Sequence, residues 1–148
     1  MIFLKGVQNC RYLEKIWLGN NNIETIKNVE KLPFLKQLYL SSNRIKKISG
    51  LESAINLDKL WLDGNLIEQV DGLSSLKNLT DLNLAANQIE LIGISLDNLK
   101  NIRELNLAGN RIGSFKEVLN LTRLPQLTYC NFSDPNYGEN PICSLCNY

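Results

Sequence analysis

The side chains able to carry chemistry in this chain are few. Cys143-x-x-Cys146 has the spacing of a zinc site or a dithiol redox pair. Zinc wants four ligands, yet the 148 residues include no histidine, and Cys130 is the one further cysteine within range. A redox pair wants a βαβ setting, and none surrounds it, so these thiols read as free. Without histidine the usual general base is missing, and no glycine-rich phosphate loop occurs. The 15 carboxylates are scattered over turns rather than paired. This inventory argues against an enzyme and implies no cofactor, no metal and no small-molecule substrate.

Recognition chemistry is better represented. Trp17, Tyr39 and Trp61 recur at intervals of 22 residues, and Lys15 and Lys59 each stand two places before a tryptophan. A repeat sets these intervals. The spacing L-x-x-L-x-L-x-x-N occurs at Leu57-Leu60-Leu62-Asn65 and again from Leu13, Leu35, Leu79 and Ile102. Successive starts lie 22, 22, 22 and 23 residues apart. Within Leu60-Trp61-Leu62 the alternation is that of a short strand, with both leucines inward and the tryptophan outward. One such turn cannot bury its own leucines and must be covered by its neighbours. Ile67 with Val70 closes the turn beneath, as do Ile23/Ile26, Ile45/Ile48, Ile89/Ile92 and Ile112/Phe115.

The repeated asparagine has a separate task. Where the chain bends away from the strand, backbone groups lose their partners, and a buried amide supplies donors and an acceptor together. Asn21, Asn43, Asn65, Asn87 and Asn110 are expected to form such a ladder.

This spacing resembles the leucine-rich repeat. The resemblance implies an α/β fold: a right-handed solenoid with a parallel concave sheet and 3₁₀ or short-helical turns on the convex face. The 22-residue period and segments such as Gly50-Leu51 and Gly72-Leu73 are similar to the class that includes the regulator of protein phosphatase one and dynein light chain one. Residues 120–148, the run NLTRLP to CNY, with ELNLAGNRIGSFKE before them, resemble over roughly the last third of the chain the family of leucine-rich-repeat-containing protein nine, which is associated with cilia. Known relatives there are far longer, so the chain is expected to be a fragment or a shortened member.

In chain order, residues 1–12 read as a half-repeat, 13–126 as five repeats, and 127–148 as a terminal repeat and cap. Ser114-Phe-Lys-Glu117 has the pattern of a capping box opening a helix to about Arg123. Leu127–Phe132 supplies a sixth strand. Pro135 stands where the next ladder asparagine is due, so the ladder is expected to stop; Asn140-Pro141 then opens a short helix with Ile142, Leu145 and Cys146 on one face.

Stacking the repeats makes three outward columns. The central one reads Trp17, Tyr39, Trp61, Asn83, Asn106, Asn131; before it run Lys15, Gln37, Lys59, Asp81, Glu104, Tyr129; after it run Gly19, Ser41, Asp63, Ala85, Ala108, Ser133. The aromatic row flanked by Lys15 and Lys59 has the composition of a protein-binding hot spot. The alternative is that the rings stack on one another with lysine stems across them. Asp81 and Glu104 are candidate acceptors for a basic element.

Charge is uneven although the net is +1: residues 1–47 carry nine Lys/Arg and three Asp/Glu, residues 48–148 seven and twelve. No uniform basic footprint for nucleic acid exists. No apolar run approaches the ~18 residues of a membrane span, and no signal peptide is evident. The three Asn-x-Ser/Thr sequons read as accidental, and the cysteines suggest a reduced, cytoplasmic setting, with the cilium implied by the resemblance. The expected partner is a protein on the concave face.

Overall fold

The computed structural model describes residues 7–145. Six strands, β1 (Lys15–Trp17), β2 (Gln37–Tyr39), β3 (Lys59–Trp61), β4 (Asp81–Asn83), β5 (Glu104–Asn106) and β6 (Tyr129–Asn131), lie side by side in chain order, all parallel. Their register never slips: Ile16, Leu38, Leu60, Leu82, Leu105 and Cys130 form one row of partners. The period-2 alternation sends that row inward, and Leu38, Leu60, Leu82 and Leu105 are wholly buried. Ile45, Ile48, Ile67, Ile89 and Val70 lie buried below, so the core is a continuous stack between turns. This is the α/β solenoid with a parallel inner sheet.

Phe115 departs from the expected pairing with Ile112. It begins a helix, α1 (Phe115–Leu119), and lies exposed, while Ile112 is buried. The outer turns also differ in part. True 3₁₀ segments occur at Val7–Asn9, Val29–Lys31 and Asn120–Arg123. Between them, 51–57 and 73–79 advance by linked single turns. Ala54 N–H donates to the Leu51 carbonyl, and Leu57 N–H to that of Ala54. Each bond begins where the last one ends, so no helix winds up. Gly50 and Gly72, at φ 77° and 71°, sit directly over the carbonyls of Ile26 and Ile48 in the preceding turn, where a Cβ would collide.

The bend after each strand is held by asparagine. Asn65 Nδ2 donates to the carbonyls of Leu40 (3.0 Å) and Leu62 (2.9 Å), while its Oδ1 accepts from Ile45 N–H (3.0 Å). Asn43, Asn87 and Asn110 repeat the pattern, each stitching its own turn to the previous one. Asn21 departs from it: this residue is exposed and, among the described residues, donates only to Leu18 and Gly19 of its own turn. A second, exposed set was not foreseen. Asn56, Asn78 and Asn101 each donate to a carbonyl of the preceding turn, those of Pro33, Ile55 and Lys77.

The ladder does not stop at Pro135. An antiparallel hairpin, β7 (Ser133–Asp134) with β8 (Gly138–Glu139), is inserted there, and the chain then resumes the pattern. Asn140 is wholly buried; Nδ2 donates to Leu107 (2.7 Å) and Phe132 (2.9 Å), and Oδ1 accepts from Ile112 N–H (3.0 Å). Its side chain therefore serves the ladder and makes no capping bond to the following helix, α2 (Pro141–Ser144). Ile142 of α2 is buried while Leu145 is exposed, so they share no apolar face; Cys146 lies outside the described residues.

Glu117 corrects the capping-box reading. Ser114 Oγ does accept from Lys116 N–H (3.3 Å), but Glu117 turns toward the preceding repeat. Its buried Oε2 accepts from Gly93 N–H (2.8 Å) and Ile92 N–H (2.7 Å). The Gly93 bond, against the opposing cost of burial and helped by Ile92 and Asn120, holds this carboxyl below its ordinary range.

Two stability predictions follow from these contacts. Asn65→Ala orphans backbone groups at about 1–3 kcal/mol for each one left unsatisfied. Its thermal midpoint should fall by several degrees, whereas Asn21→Ala should stay within about 1–2 °C of wild type. Glu117's lowered pKa means its contribution is complete above the ordinary carboxylate range and fades as pH falls through the lowered value. Urea melts of wild type and Glu117→Gln should therefore differ near neutral pH and converge in acid.

Candidate functional site on the concave sheet

The outward residues of β1–β3 place Trp17, Tyr39 and Trp61 in one row, because consecutive strands are in register. Trp17 and Tyr39 stack with centroids 5.1 Å apart and planes within 6°. Tyr39 meets Trp61 edge-on, also at 5.1 Å, with planes at 83°. Ring stacking therefore occurs, yet it does not consume the surface: Trp17 remains 66% exposed and Trp61 37%. Lys15 is exposed beside Trp17.

Lys59 and Asp81, foreseen as separate contacts of opposite sign, meet each other instead. Lys59 Nζ donates to Asp81 Oδ2 at 2.8 Å, and Trp61 Nε1–H donates to Asp81 Oδ1 at 3.1 Å. They are partners because register puts Lys59 opposite Asp81 on adjacent strands. The hydrogen bond to Asp81 raises the lysine's pKa, overcoming the lowering effect of burial. Asp81 thus fixes the Trp61 ring. Glu104, on the next strand, is exposed and forms no ion pair among the described residues.

The third column is covered over its middle, at Asp63, Ala85 and Ala108, while Gly19 and Ser41 stay half-buried and Ser133 is exposed. The β7–β8 hairpin folds back over it, and the Tyr137 hydroxyl donates to Asp63 Oδ2 at 3.1 Å, across 74 residues of sequence. Asp63 Oδ1 accepts from Ser41 Oγ at 2.7 Å. Ala85 and Ala108 are wholly buried, and the Tyr137 carbonyl occupies the place a Cβ on Gly109 would need. Burial, and then the charge of Asp63, raises the Tyr137 pKa. Alternation alone did not reveal this cover; the small residues Ala85, Ala108 and Gly109 beneath an Asp-Pro-Asn-Tyr-Gly turn were its signal.

With that side occupied, a cavity of about 220 Å³ opens over the other two columns, lined by Trp61, Asp81, Asn83, Glu104, Asn106 and Tyr129, with Leu105 at its base. A larger groove of about 510 Å³ runs over the turns between Arg44, Lys46 and Lys47. Its lining lacks the aromatic register of the sheet.

Cys130 sits in β6, where burial pushes its thiol pKa up to about 12, so it is protonated at neutral pH. Cys143 Sγ approaches the Phe132 carbonyl at 3.5 Å. Among the described residues no three potential metal ligands converge, and no helix is long and apolar enough to cross a membrane.

Residues 13–53 match the family model for leucine rich repeats in two copies, and residues 55–112 match the leucine rich repeat model. The chain is a leucine-rich-repeat protein. Its fold is similar to internalin C2 of Listeria monocytogenes, at 26% identity and TM-score 0.77 over 86% of this chain and 55% of that one. It is likewise similar to a leucine-rich-repeat protein of Leptospira interrogans, at 30% identity and TM-score 0.77 over 87% of this chain and 34% of the other. The repeat ectodomain of a receptor kinase from Arabidopsis thaliana matches at 25% identity and TM-score 0.60, over 84% and 72% of the two chains. This chain thus spans about half of the internalin and a third of the leptospiral protein.

The Asp81 contacts can be checked spectroscopically. In Asp81→Asn the Lys59 ammonium should titrate at a lower pH than in wild type, and the Trp61 indole N–H resonance should move. An unchanged Lys59 titration would mean that the pair does not persist in solution.

Proposed function

We propose that this chain is a non-catalytic protein-binding module that holds its partner on the concave sheet through Trp17, Tyr39 and Trp61. The observation that carries this reading is a row of three rings in contact with one another, of which the outermost, Trp17, keeps 66% of its surface in solvent. Large rings bury much area at small entropic cost and are over-represented among interface hot spots. Lys15 rims the row and favours an acidic, partly apolar partner surface there. Repeat proteins of this family serve as interaction modules, and the inventory of side chains offers no acid–base centre.

The resemblance of the last third to a cilium-associated family makes an axonemal scaffold in the cytoplasm our favoured setting. The 22-residue period supports a second reading, in which the face holds a protein phosphatase catalytic subunit. A pull-down from ciliated cells separates them by which class of protein is retained.

The face itself is tested with whichever partner is retained. Trp17→Ala should weaken it by about 2 kcal/mol, roughly thirtyfold, because a solvent-exposed hot-spot ring is lost without disturbing the fold. Ile55→Ala, an equally apolar change on the outer turns, should leave affinity unaltered. Equal effects of the two would place the contact elsewhere.

A further inference from the structure

We infer that the cavity between Trp61 and Tyr129 seats a basic side chain, arginine above all, presented by an extended segment of the protein partner. This rests on the concave-face reading above and adds the chemistry of what the face takes.

Size comes first. At about 220 Å³ the cavity lies below the ~300 Å³ where sites for drug-sized ligands begin, and suits one long side chain. Its walls are rings from β3 and β6, with Trp61 37% and Tyr129 56% exposed. Its lining carries two carboxylates with unequal commitments. Asp81 is engaged by Lys59 and by the Trp61 indole, whereas Glu104 has no cation within ion-pair distance among the described residues. Lys59 offsets one of the two negative charges, and one is left facing the cavity.

A guanidinium meets both demands at once. Its plane stacks on aromatic faces, and its fork of N–H donors matches a carboxylate. An acidic side chain in the same place would face Glu104 and Asp81 and be refused.

The placement also predicts a pattern in the partner. From β2 to β5 is three strand spacings, about 14 Å. An extended chain covers that in about four residues. A segment lying across the sheet would set an apolar residue against Trp17 and Tyr39 and the basic residue about four positions away.

The test uses the intact chain, isotopically labelled and titrated with two pentapeptides, acetyl-Leu-Ser-Ser-Ser-Arg-amide and its Glu-ended counterpart. The Arg peptide should move the Trp61 indole N–H and the amides of Leu105 and Asn106 saturably, and bind at least tenfold tighter than the Glu peptide. Glu104→Gln, a change at an exposed position, should abolish most of that preference, and added salt should weaken it. Equal binding of the two peptides, an unchanged preference in Glu104→Gln, or no saturable response at Trp61 overturns the inference. If these peptides fail while Trp17→Ala still weakens the partner, the cavity assignment falls and the concave face stands.

Discussion

A strand of three residues that must turn away from its sheet leaves backbone donors and acceptors without partners inside an apolar stack. Everything else in this fold depends on how that is resolved. Each buried ladder asparagine bonds to its own strand's end and to the turn before it, so one side chain closes a bend and joins two repeats. An unpaired buried group costs about 1–3 kcal/mol, comparable with burying a leucine side chain. The leucines thus supply the drive to stack, and the asparagines fix the distance and register at which stacking occurs. Register in turn sets the columns on the inner sheet, and the columns are what a partner meets.

That sequence of causes explains why the inner face is asymmetric. Parallel strands in strict register give every outward position the same neighbours one repeat away, so local chemistry changes along the solenoid with the residue types alone. At β1–β3 the central column is aromatic; at β4–β5 it is amide, with carboxylates alongside. The junction is closed by Asp81, which joins the lysine of one strand to the indole beside it. The hairpin adds a second asymmetry, covering the third column where its residues are small. One face therefore offers an apolar, basic-rimmed end and a cavity whose Glu104 carboxylate has no ion pair among the described residues, within the reach of a short extended segment.

Much of this was legible in the residues. The interval of 22, the alternation around each strand and the ladder at Asn43, Asn65, Asn87 and Asn110 follow from local chemistry repeated at fixed spacing. What escaped has a common physical origin, in contacts set between repeats by side chains that fit no repeated pattern. Glu117 has the spacing of a capping residue, but two backbone N–H groups of the preceding turn offered a buried anion better partners than its own helix. Asn140 lay five positions beyond Pro135, where the ladder was due, because a hairpin inserted in one turn displaces the count without altering the need at the bend. Lys59 and Asp81 looked like separate contacts until register placed them side by side. Tyr137 and Asp63 are 74 residues apart, and no periodicity joins them.

The claim on which the functional account turns is that the inner sheet, and not the outer turns, meets the partner. A photo-crosslinking residue at position 39, in the middle of the aromatic row, compared with one at position 55 on the outer turns, tests it most directly. Irradiation of the partner-bound chain should yield an adduct from position 39 and none from position 55. An adduct from position 55 with none from position 39 would contradict it.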